Sequence, residues 1–296
     1  MNKGVLAGIG AYLIWGFFPI YLKTLQVVPP LQIMLHRLVW SFLFVMLLIL
    51  VRKEWQQFRS SIFSSRVLLT YSLTAVLLAA NWLIYIYGVN SGQVIETSLG
   101  YFINPLINVA LGVIILRERL RPMQWLPVGL AAIGVLYLTL QYGSLPWIAL
   151  ALAFSFGLYG LIKKVAPLGS LHGQSLETGI LFVPAVIYLF FAQSQGFGAF
   201  GHQGLSVTLL LAFAGIVTAL PLLFFGFAAR TIPLSLLGIL QYIAPTIQFL
   251  LGVYLYQEPF TTTRLIGFAF IWIALLIFTL EGVYARRKQV AAAPVA

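Results

Sequence analysis

The chain has no cysteine and no aspartate, and only six carboxylates: Glu54, Glu96, Glu118, Glu177, Glu258 and Glu281. Without cysteine there are no disulfides and no thiolate metal sites, and the redox compartment leaves no trace in the sequence. Charge of either sign is scarce. Charged residues make up 8% of 296 positions, where a soluble domain carries about 25%. So few charges cannot cover a sphere facing water, so the outer surface must be apolar and face lipid. Also missing are a Walker A sequence, a His-Glu-x-x-His, a Gly-x-Ser-x-Gly and a selectivity-filter signature. No nucleophile–base constellation stands out, so the chain is read as a non-enzyme with no cofactor and no metal site.

What is present is apolar: 61% hydrophobic residues and a mean hydropathy of +1.00. Apolar runs of spanning length fall near 4–22, 32–51, 68–88, 94–116, 123–140, 146–163, 174–192, 206–228, 233–256 and 262–281. The expected fold is an all-α membrane protein of ten transmembrane helices. The first run is too long for a signal peptide and lacks an Ala-x-Ala cleavage site.

The net charge of +11 does not point to nucleic acid, because the basic residues sit in the short gaps between apolar runs. Lys3, Arg52, Lys53, Arg59, Arg66, Arg117, Arg119, Arg121, Lys163, Lys164, Arg230, Arg286, Arg287 and Lys288 fall on one side, and only Lys23 and Arg264 on the other. The positive-inside rule then predicts cytoplasmic N- and C-termini in a bacterial-type inner (plasma) membrane.

The second half repeats the first. Trp15-Gly16 matches Phe156-Gly157, Lys23 matches Lys164 and His36 matches Glu177, all 141 residues apart. Pro105 with Pro245, Leu111-Gly112-Val113 with Leu251-Gly252-Val253, and Glu118 with Glu258 follow at 140. Five spans followed by five more cross the membrane in opposite senses. The expected units are two inverted five-helix repeats, 1–141 and 142–288, followed by a disordered tail, 289–296. Such repeats place a site at their interface near the midplane.

Ionisable groups at membrane depth normally face the bundle interior or a wet cavity. His36 and Glu177 either titrate during transport or contact a charged solute, or they hydrogen-bond a neighbouring helix. Arg37 either snorkels to the interface or acts electrostatically in gating. Glu96 complements a helix dipole or forms a gate or proton-linked carboxylate. Tyr101, Asn104 and Asn108 share one helix face, and Gln241, Gln248 and the flanking Tyr242 occupy the corresponding face. Each stripe adjoins a helix-breaking proline, Pro105 or Pro245, and the stripes line a cavity or glue helices together. Trp15, Asn81 and Trp82 add aromatic and polar wall, which suits amphipathic or aromatic solutes, or else belong to interfacial belts.

Particular runs carry a family resemblance: GVLAGIGAYLIWGFFPIYLK (Gly4 to Lys23), LHRLVWS (Leu35 to Ser41), NWLIYIYGVN (Asn81 to Asn90), ETSLGYFINPLINV (Glu96 to Val109), LRERL (Leu116 to Leu120) and LQYIAPTIQFLLGV (Leu240 to Val253). Together they resemble the RarD-like permeases of the drug/metabolite transporter superfamily, whose halves are EamA-type repeats. The resemblance implies ten helices with both termini inside, a central cavity and movement of small organic solutes; a link to chloramphenicol sensitivity attaches to that branch by name. The expected function is a secondary-active permease or exporter of a small organic metabolite, amino-acid-like compound or drug, working by alternating access. An uncoupled facilitator or channel is the alternative. Expected partners are the solute, the lipid bilayer and protons as a candidate coupling ion, with no nucleic acid, in a monomer or homodimer.

Overall fold

The computed structural model describes residues 2–90, 94–143, 145–257 and 262–291, and within them every regular element is a helix. The helices are α1 (Lys3–Lys23), α2 (Pro30–Val51), α3 (Trp55–Ile62), α4 (Ser65–Asn90), α5 (Val94–Ile114), α6 (Trp125–Tyr142), α7 (Trp147–Val165), α8 (Ser170–Ser194), α9 (Leu205–Thr231), α10 (Leu234–Gln241), α11 (Ile243–Leu250) and α12 (Thr262–Ala291). Among the described residues nine stretches are long and apolar enough to cross a membrane, and a tenth apolar stretch on α5, Leu99–Ile114, is shorter.

Helix ends follow local chemistry. The Asn2 side chain accepts the Gly4 N–H at 2.9 Å and starts α1. Pro30, which has no amide to waste at the first helical position, starts α2. The expected single span 233–256 is divided instead: α10 ends at Gln241, α11 begins at Ile243, and a π-helical turn, Leu251–Leu255, closes it. Pro245 explains the division, because it cannot donate to the Gln241 carbonyl four residues back. Short α3 has an apolar face that the span count did not anticipate; Phe58 is buried on it. Helix α12 runs through Gln289 to Ala291, the first part of the expected tail.

The main packing pairs are α1 with α9 and α11, α2 with α8 and α9, α4 with α7 and α8, α5 with α7 and α10, and α6 with α12, and α7 also meets α9. Helices of the first half therefore lie mainly against helices of the second. The basic helix ends gather at one end of the bundle. There Arg121 meets Glu281 at 2.7 Å and Glu54 meets His172 at 2.9 Å. At the opposite, far end Gln32 bonds the Phe197 carbonyl and the Ala199 amide, both at 2.8 Å.

One tie at the basic end crosses the chain. The Glu118 carboxylate accepts the Leu234 and Ser235 amides (2.6 and 2.9 Å) and the Ser235 hydroxyl (2.7 Å), with Lys164 at 3.7 Å. It supplies the cap that Pro233 cannot give α10. Gly112 leaves the room: a Cβ there would lie 2.7 Å from the carboxylate and 3.0 Å from the Ser235 nitrogen. Replacing Glu118 with alanine should cost about 1–3 kcal/mol, since two amides lose their acceptor. A thermal melt in detergent measures this, and glutamine should cost less than alanine.

Candidate functional site

Five helices converge on Arg37 in the far half of the bundle. The guanidinium carbon lies 4.7 Å from the Phe18 ring centroid on α1 and 4.6 Å from the Trp82 centroid on α4. Its Nε donates to the Thr218 hydroxyl of α9 at 3.0 Å. Tyr21, Tyr85 and Tyr101 stand within electrostatic reach, and the last two rings meet edge to face at 6.1 Å. Phe18 and Tyr21 share a face of α1, as Trp82 and Tyr85 share one of α4, by their three-residue spacing. Tyr101 is 40% exposed, and Arg37, Trp82 and Tyr85 are half-buried.

Toward the basic end an aromatic floor closes the bundle. Trp15 packs against Tyr12, Phe156 and Phe225 with centroids at 5.7–5.8 Å. Tyr159 stacks on Phe225 at 6.0 Å. Beneath Tyr159, Lys163 and Glu177 form an ion pair at 3.0 Å, with the Tyr159 hydroxyl donating to the same carboxylate at 3.3 Å. The two charged side chains are only 3% and 1% exposed. The basic half is thus closely packed, while Arg37, Trp82, Tyr85 and Tyr101 keep partial exposure in the far half.

The expected site residues divide between these regions. Arg37, Trp82 and Tyr101 come together in the far half, and Trp15 lies in the floor. Glu177 is a buried ion-pair member below the floor. His36 points elsewhere: it stacks on Phe200 at 5.2 Å, in a lateral groove it shares with Gln32, Trp40 and Phe190. The polar stripes bond mostly to protein. Asn108 donates to Asn104 (3.1 Å) and to Gln241 (2.8 Å), Asn104 donates to the Ala153 carbonyl (2.9 Å), and all three are buried. Asn81 donates to the Leu152 carbonyl and Ser155 hydroxyl (2.9 Å each), Tyr242 to the Phe102 carbonyl (3.2 Å) and Gln248 to the Trp15 carbonyl (3.0 Å). The helix-joining reading accounts for these bonds. Pro105 leaves the Tyr101 carbonyl without its helical donor, as Pro245 does for Gln241. Glu96 lies on α5 with its side chain outside the described part, and Glu258 lies outside the described residues altogether.

Sequence reasoning missed Phe18, Thr218, Phe156, Phe225 and Tyr159, and it counted Lys163 among the loop charges. Phe18 and Tyr159 carry a signal that was available: they are 141 residues apart, like Lys23 and Lys164.

The EamA-like transporter family matches residues 2–140. Protein RarD of Salmonella typhi is 45% identical over 97% of this chain and 98% of its own. The uncharacterized transporter YojE of Bacillus subtilis is 43% identical over 97% of each. A crystal structure superposes with a TM-score of 0.70 at 18% identity, covering 95% of this chain and 98% of its own, which speaks for the fold.

Proposed function

Because the chain belongs to the RarD-like branch of the EamA-like transporter family, a group of multi-pass bacterial inner-membrane transporters, we propose that it is a secondary carrier whose solute binds beside Arg37. The carrying observation is the partly exposed Arg37 cluster standing over a closely packed floor. Access from the far end and closure at the basic end make one of the two states an alternating carrier needs. The positive-inside rule assigns the basic end, and both termini, to the cytoplasm, so this state faces outward.

Several features support two inverted repeats, and with them a second, inward-open state. Exchanging α1 with α7, α2 with α8, α4 with α9, α5 with α10–α11 and α6 with α12 maps most of the packing pairs onto one another: α1–α9 becomes α7–α4, and α5–α7 becomes α11–α1, while α7–α9 departs from the symmetry. Arg117 and Gln257, 140 apart, both turn left-handed, with φ of 55° and 53°. Leu116 N–H bonds Leu111 O as Tyr256 N–H bonds Leu251 O, again 140 apart. In the second state the Arg37 end closes and the Lys163–Glu177 end opens.

The test is reconstitution in proteoliposomes with a panel of radiolabelled metabolites and chloramphenicol, with and without a pH gradient. A carrier gives saturable uptake accelerated by the same solute on the opposite side. Flux that neither saturates nor shows this acceleration means a channel. Orientation is checked separately. The chain has no native cysteine, and Gln257 and Ser60 are exposed at opposite ends. An impermeant maleimide applied to whole cells should label Gln257→Cys and spare Ser60→Cys.

A further inference from the structure

We infer that the Arg37 site takes an organic anion, a solute that joins one carboxylate to a flat apolar body. This rests on the carrier reading and names the chemistry of its cargo. The cation at membrane depth is the first ground. An arginine there costs about 2.5–3.5 kcal/mol on insertion scales and is normally paired. Among the described residues every ion pair leaves Arg37 out. Lys163, a cation buried in the bundle, has Glu177. Arg37 has a hydroxyl and two rings.

The way the guanidinium is held is the second ground. Thr218 takes the Nε proton, and Phe18 and Trp82 lie against the group at 4.7 and 4.6 Å. A guanidinium has five N–H donors in a planar fork. With two rings beside it and Nε satisfied, the terminal nitrogens are left for a ligand, and they find no acceptor among the described residues. Two parallel N–H donors match a carboxylate. The nearby phenols, Tyr85 and Tyr101, add O–H donors to the same space. The guanidinium charge with these donors favours an anion and repels a cationic solute.

The floor supplies the third ground. Trp15 and Phe156 meet edge to face at 5.8 Å beneath the cluster, and Trp82 packs into the same apolar core. A planar hydrocarbon body is received by rings in this way. Carboxylate at Arg37 and ring on the floor then use both parts of the space. The requirement for a flat body also distinguishes this solute from a bare inorganic anion.

Calorimetry on the purified full chain in lipid nanodiscs tests the inference, with four probes of related shape: 3-phenylpropionate, 3-phenylpropanamide, phenethylamine and acetate. The acid should bind at least about tenfold more tightly than its amide and than the amine, the difference expected of a charge-assisted over a neutral hydrogen bond. Acetate, lacking the ring, should bind weakly. Arg37→Gln should erase the preference for acid over amide, and Arg37→Lys should keep part of it. Equal binding of acid and amide by the unmodified protein overturns the inference, with no variant needed. So does an acid preference that survives in Arg37→Gln. Failure of the carrier reading looks different: acid binds, yet no probe exchanges across proteoliposomes. Exchange of phenethylamine alone would leave the carrier standing and remove the anion.

Discussion

Glu177→Gln should destabilise the protein by about 3–5 kcal/mol, the cost of leaving a buried charge without its partner. Lys163 Nζ sits 3.0 and 3.2 Å from the two carboxylate oxygens, and Tyr71 and Tyr159 rings enclose it at 5.6 and 5.7 Å. Water cannot reach an ammonium that is 3% exposed, so the amide of glutamine has to replace the whole counter-charge and does not. Lys163→Met alone should be similarly harmful, because it strands the carboxylate. The double change Lys163→Met with Glu177→Met removes both charges and should recover most of the loss. Thermal unfolding in detergent of the two single variants and the double closes the cycle. The functional consequence separates a gate from a brace. If the pair closes the basic end, the double variant stays folded but no longer has a charged latch to reform, so a cysteine placed near Tyr159 becomes accessible from that end. Unchanged accessibility in a well-folded double variant removes the pair from the gate.

The all-helical, membrane-spanning character was legible because it needs only length and hydropathy, although α5 holds a shorter apolar stretch than a full span. The division of the ninth span at Tyr242 was half legible: Pro245 announces a lost hydrogen bond, but not whether the helix bends or breaks. The site was less legible for a different reason. Polar residues at membrane depth have two uses, binding a solute and joining helices, and a sequence does not say which acceptor lies opposite. Asn104, Asn108 and Gln241 have the spacing of a cavity lining, yet their acceptors are one another and the Ala153 carbonyl. His36 and Arg37 are neighbours in sequence and so leave α2 about 100° apart. That rotation sends one to Phe200 and the other to Trp82. Lys163 was hidden by its place in the last turn of α7, where basic residues usually meet headgroups. Only the fold brings Glu177 to it.

Gly215→Leu should abolish transport while the same change at an open glycine, Gly129, leaves it intact. A Cβ at Gly215 would lie 2.4 Å from the carbonyl carbon and oxygen of Trp40, and these are backbone atoms that no rotamer change can move. Nothing stands within 4 Å of the corresponding position at Gly129. Overpacking of this kind costs about 1–3 kcal/mol and forces backbone shifts. The shift lands on the site. Thr218 is one turn beyond Gly215 on α9, and Arg37 is one turn before Trp40 on α2, so the close crossing sets the 3.0 Å bond between Arg37 and Thr218. Separating the helices by the width of a leucine breaks that bond and draws Arg37 away from its place between Phe18 and Trp82. Gly215→Ala should give an intermediate loss, since α2 and α9 then part by less. Binding and exchange measured side by side on the two variants decide the matter: full affinity in a stable Gly215→Leu protein would show that the Arg37 cluster does not depend on the α2–α9 approach.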